Sequence, residues 1–112
     1  MTRTLTLLLT TFLGIGHALA DGDYENGKKL AKSWECFHCH GVTGNQRMDA
    51  VEPAVPMLAG QPASYLAKTM RDYKSGRRID DNKNTKMNAR IKPLSDQDIE
   101  DIAFYYASQK RY

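Results

Sequence analysis

Cys36-Phe37-His38-Cys39-His40 decides how this chain is read. It holds both cysteines of the sequence, two positions inside one turn's length of each other, with a histidine directly after the second. A disulfide between residues this close would close a very short loop and restrain little of the unfolded chain. Three other chemistries use such a pair: a thiol–disulfide redox centre, a zinc site, and the C-x-x-C-H pattern of covalent haem attachment. The surrounding sequence has to choose among them.

Upstream, a short basic start (Met1-Thr2-Arg3) leads into an apolar run from Leu5 to Gly16, and Ala18-Leu19-Ala20 supplies a small-x-small cleavage pattern. This reads as a signal peptide over 1–20, too short for a membrane span, followed by one domain over 21–112. No later stretch is long and apolar enough to cross a bilayer, so a soluble, exported protein in the periplasm is expected. An exported domain this small builds only a thin core and needs a staple or a cofactor.

Charge does not point to nucleic acid. The formal net charge is +3, and +2 once Arg3 leaves with the leader. Phosphate neutralisation needs a concentrated basic face instead.

Three helices can be read, and no strand. The first runs from about Tyr24 to Trp34, with Leu30 and Trp34 on one face. The second follows Gln61-Pro62, carries an apolar stripe of Leu66, Met70 and Tyr73, and stops at Gly76. The third opens on Ser95-Asp96-Gln97-Asp98, a capping signature, and repeats apolar residues at Ile99, Ile102, Ala103 and Tyr106. Two long loops, 41–60 and 77–94, join them. Loops that long in so small a domain are expected to wrap something.

The rivals fail on context. A thioredoxin-like pair wants a βαβ setting, which is absent. Zinc wants four ligands, and the remaining histidines are His17 in the leader and His38 inside the motif, a filler position. Covalent haem remains. Two thiols three apart reach the two vinyl groups of one porphyrin, and His40 turns its imidazole to the iron. The sixth ligand is then a methionine: Met48, Met57, Met70 or Met87. Met70 belongs to the apolar stripe and Met48 to a polar stretch; Met57 and Met87 lie in loops, and position favours Met87. His/Met ligation raises the reduction potential and leaves no open iron position, which suits electron transfer. Trp34, Leu58, Leu66, Met70 and Ile91 are the expected pocket walls.

These residues resemble the small bacterial class I c-type cytochromes, including single domains of periplasmic dihaem cytochromes c. The likeness covers Gly27-Lys28-Lys29, Cys36 to Gly41, Pro56-Met57-Leu58-Ala59-Gly60-Gln61, Tyr65-Leu66, Lys74-Ser75-Gly76-Arg77, Met87, and Leu94-Ser95-Asp96 through Ala107. It implies an all-α class I cytochrome c fold, three main helices and long loops around one haem c. It implies Met87, seven residues before Leu94, as axial ligand opposite His40. It implies that the Pro56 carbonyl accepts a hydrogen bond from His40, and that the first and third helices cross at Gly27 against Ile102 and Tyr105. Ala31 departs from the aromatic many relatives carry at that crossing.

The implied function is single-electron transfer between redox partners by a protein that is not itself an enzyme. The alternative is a dedicated haem subunit of a periplasmic dehydrogenase. Lys74, Arg77, Arg78, Lys83, Lys86, Arg90 and Lys92 against Asp80 and Asp81 form a positive segment around Met87, an expected docking surface for an acidic partner. Asp96, Asp98, Glu100 and Asp101 give the third helix the opposite sign.

Overall fold

The computed structural model describes residues 22–46, 55–80 and 86–112. The leader, Met48, Asp81 and Lys83 lie outside the described residues. Those described fold into five helices and no strand: α1 (Tyr24–Ser33), α2 (Cys36–His40), α3 (Ala63–Ser75), α4 (Lys86–Ile91) and α5 (Asp96–Ala107).

The three long helices are those the patterning predicts, and their ends have the expected chemistry. Ser95 caps α5: its hydroxyl accepts from the Asp98 N–H, and Asp98 returns a bond to the Ser95 N–H, each at 3.1 Å. Asp23 caps α1 by accepting from the Asn26 N–H at 3.0 Å. Gly76 ends α3 in the left-handed conformation, φ 80°.

Of the two short helices, α4 falls inside the expected loop 77–94 and departs from that expectation, whereas α2 lies before the loop 41–60. In particular, Met87 is helical, on the first turn of α4.

α5 is the spine. Ile99, Ile102, Ala103, Tyr105 and Tyr106 are all buried, α1 crosses one side of it and α3 packs on another. The α1 crossing is close because the residues α1 buries there, Gly27 and Ala31, are small. A Cβ on Gly27 would stand 2.0 Å from the Asp101 carbonyl oxygen and 3.0 Å from the Tyr105 Cβ. Tyr105 is thus a partner of Gly27 as expected, and the Asp101 backbone stands closer still.

Asp101 itself is not part of an acidic outer face: it is 2 % exposed. Its carboxylate accepts from the Asp23 N–H (2.8 Å), the Asn26 side-chain amide (2.7 Å) and Gln97 (2.9 Å). Burial alone would raise its pKa, but these three donors outweigh burial and hold it below the ordinary carboxylate value. Arg71 of α3 reaches Glu100 and Asp96 of α5, tying the third side of the bundle.

Candidate functional site

Between α1 and α2 the chain reverses through Glu35, a non-glycine residue in the left-handed region at φ 61°. Such a residue costs on the order of 1 kcal/mol or more, so the surroundings must impose it. The turn aims α2, and with it the C-x-x-C-H motif, back toward α3, α4 and α5. Glu35 also pairs with Arg90 of α4 at 2.8 Å, an exposed bridge linking the two short helices.

α5 holds the backbone just after the motif. The Tyr106 hydroxyl donates to the Gly41 carbonyl at 3.3 Å, and the Tyr105 hydroxyl to that of Val42. One turn on, the Gly44 carbonyl accepts the N–H groups of Leu58 (2.8 Å) and Ala59 (3.1 Å). That brings 55–58 back beside α2.

His40 Nδ1 is consequently 3.0 Å from the Pro56 carbonyl oxygen, the contact the resemblance implied. A carbonyl can only accept, so Nδ1 carries the hydrogen and Nε2 keeps a bare lone pair. Burial lowers the pKa of His40, against the smaller opposing pull of Pro56, and the ring is neutral. A buried, neutral, oriented imidazole is what a metal ligand requires.

His40 opens onto a cavity of about 310 Å³. Cys36 and Cys39 line it beside His40, and Met87 lines it from α4. Leu58, Leu66, Met70 and Ile91 form walls as expected, with Ile102 and Tyr106 of α5 at the back. Trp34 does not join them. It caps the C-terminus of α1 and is 36 % exposed, because the Glu35 turn leaves it on the other side of the chain. Met57 and Met70 also line the cavity, so three of the four candidate methionines share one space.

The cavity also gathers Tyr73 of the apolar stripe, Arg78 of the charged segment and Tyr65, a residue of the family likeness. The Arg78 guanidinium lies over the Tyr73 ring, 5.1 Å from its centroid.

The other uses of a cysteine pair fit poorly. Burial pushes the Cys36 thiol up to about 11, the reverse of the low pKa that thiol–disulfide chemistry needs. Among the described residues, no three His, Cys, Asp or Glu side chains gather to hold a bare metal ion. Two adjacent thiols, a neutral imidazole, methionines in the lining and largely apolar walls do fit a porphyrin held by thioether bonds.

Residues 24–110 match the family described as cytochrome c. The chain is 42 % identical over 115 residues to cytochrome c4 of Stutzerimonas stutzeri, covering 98 % of this chain and 52 % of that protein. It is 40 % identical over 75 residues to cytochrome c-554(548) of Halomonas halodenitrificans, covering 67 % and 84 %. To a thiosulfate dehydrogenase electron acceptor of Thiomonas intermedia it is 36 % identical over 75 residues, covering 67 % and 31 %. The chain spans about half the length of the cytochromes c4 it matches. With the motif, the cavity and these likenesses together, the chain belongs to the cytochrome c family, whose cofactor is covalently bound haem c.

Proposed function

We propose that this chain carries single electrons through one haem c, attached by Cys36 and Cys39 and ligated by His40 and Met87. The observation that supports this most is that His40, its Nδ1 turned to the Pro56 carbonyl, and Met87 line the same largely apolar cavity. The haem supplies the one-electron chemistry. The protein's part would be to hold the iron through His40 and Met87, keep water from it and leave those ligands unchanged on reduction. Pro56 fixes the imidazole and strengthens it as a donor. The α3 and α5 side chains exclude water, and Met87 closes the position at which a gas or peroxide would otherwise bind.

Lys74, Arg77, Arg78, Lys86, Arg90 and Lys92 are all exposed, in keeping with a docking surface for an acidic redox partner. Lys74 and Arg90 are partly committed, to the Leu94 carbonyl and to Glu35. A steering role requires inter-protein electron-transfer rates that fall as salt rises. The leader-like first twenty residues favour a periplasmic location.

The test is a spectrum and potentiometric titration of the purified protein beside Met87→Ala and Met57→Ala. Met87→Ala is expected to abolish the sulfur-to-iron band of the oxidised form, lower the potential and admit carbon monoxide to the reduced form. If Met57→Ala does this and Met87→Ala does not, the ligand assignment is wrong.

A second reading, a haem subunit held by a dehydrogenase, draws support from the relative named an electron acceptor of thiosulfate dehydrogenase. Stable co-purification with a larger subunit would favour it over a diffusible carrier.

A further inference from the structure

We infer that Asn88 is the positioning residue of the axial methionine: its side-chain amide joins three stretches of backbone and so holds the first turn of α4, with Met87, at the cavity wall. The inference rests on the reading that Met87 ligates a haem there.

A thioether is neutral, and its side chain is unbranched with three rotatable bonds, so its hold on a metal depends on where the backbone puts it. α4 is six residues long, too short to keep its own shape in water. Its C-terminal end is anchored by apolar burial, since Ile91 and the following Leu94 are both buried. The end that bears Met87 has no such anchor: Lys86, Ala89 and Arg90 are exposed, and Met87 and Asn88 are half-buried. Polar bonds hold it instead.

Asn88 Nδ2 donates to the Tyr73 carbonyl in the last turn of α3 at 2.9 Å, and to the Arg78 carbonyl in the turn beyond it at 2.8 Å. Its Oδ1 accepts from the Asp80 N–H at 2.9 Å. The partners settle which end of the amide is which, because two carbonyls can only accept and an N–H can only donate. Asp80 returns the bond, its Oδ2 accepting at 3.3 Å from the Met87 N–H, a first-turn amide with no partner inside the helix. Asn88 does not itself line the cavity, so it acts through the methionine beside it.

Asn45 supplies the control. It too makes three bonds, to the Thr43 hydroxyl (3.0 Å), the Lys110 carbonyl (2.9 Å) and the Tyr112 N–H (3.2 Å). Those bonds tie the C-terminus to the segment after α2 and touch neither α4 nor the cavity wall.

The experiment compares haem-loaded wild type, Asn88→Ala, Asn88→Asp, Asn45→Ala and Met87→Ala. It reads the sulfur-to-iron band of the oxidised form, the affinity of that form for added cyanide, and the denaturation midpoint. Asn88→Ala is expected to weaken the band and raise cyanide affinity about tenfold or more, the scale on which removing a partner behind a metal ligand acts. Asn88→Asp keeps the shape but has no donor for the two carbonyls, and is expected to move both readouts the same way. Asn45→Ala is expected to leave band and cyanide affinity at wild type, even where it lowers the midpoint as much. Asn88→Ala with a lowered midpoint and wild-type cyanide affinity overturns the inference, as does an equal rise in Asn45→Ala. Should Asn88→Ala not mature, Asn88→Asp decides, and wild-type cyanide affinity there overturns it. A wild type without the band, or Met87→Ala that keeps it, removes the ligand reading itself. A band lost in Met87→Ala but unmoved in Asn88→Ala removes only the role of Asn88.

Discussion

The two sides of α5 are built on different terms. Where α1 crosses, backbone meets backbone over Gly27, and a buried charge, Asp101, is satisfied by three donors from α1, its cap and α5 itself. That side is complete with the chain's own atoms. On the other side, α2 and α4 are five and six residues long and stand around a hollow. Helices that short are not stable by themselves in water. They are held by contacts at their ends, namely Tyr105 and Tyr106 on the residues after α2 and Asn88 on the loop before α4. The closed side gives the molecule a frame, and the open side gives it a place for a cofactor.

The comparison can be broken most sharply at Asp101. Asp101→Ala leaves three donors at the crossing without their acceptor and is expected to lower stability by about 3 kcal/mol, measured by chemical denaturation of the holo protein. The wild-type pH profile should report the same group. Its folded pKa lies below the unfolded value, so its contribution is present above the unfolded pKa and disappears as pH falls through the folded one. Stability should therefore decline below about pH 4 in the wild type, and this part of the decline should be missing from Asp101→Ala. A loss under 1 kcal/mol would mean that the crossing does not depend on the buried carboxylate.

Gly27→Ala comes next. Its methyl must displace the Asp101 backbone, and about 2 kcal/mol of destabilisation is expected, with little change in the haem spectrum. A spectrum that changed as much as stability would show that the two sides are not separable.

The smallest effect should come from Arg90→Gln. The Glu35–Arg90 pair joins the two short helices, yet both side chains are more than half exposed, and under about 1 kcal/mol is expected in thermal melts, falling further with salt.

The same division explains what could be read in advance. The cap at Ser95, the stop at Gly76 and the C-x-x-C-H motif are local patterns, each set by residues within a few positions of each other. The Pro56 contact to His40 was implied by resemblance and not by any local pattern. α4, inside the expected loop 77–94, is under two turns long and so shows no helical period. Asp101 looked like part of a solvated acidic run with Asp96, Asp98 and Glu100. Its burial depends on Asp23 and Asn26, more than seventy positions away in sequence. Trp34 shares the face of Leu30 in the sequence pattern, but the left-handed turn at Glu35 follows it and Trp34 is absent from the cavity wall. Arg78 reads as a surface charge and is exposed, yet nothing in its sequence neighbourhood announces the Tyr73 ring beneath its guanidinium or the Asn88 amide on its carbonyl.

Mass spectrometry of the exported, acid-denatured protein bears most directly on the claim that the open side is finished by a covalently held porphyrin. The wild type should be heavier than its polypeptide by one haem, and Cys36→Ser/Cys39→Ser should show no gain. A wild type at the mass of the bare polypeptide would contradict the account.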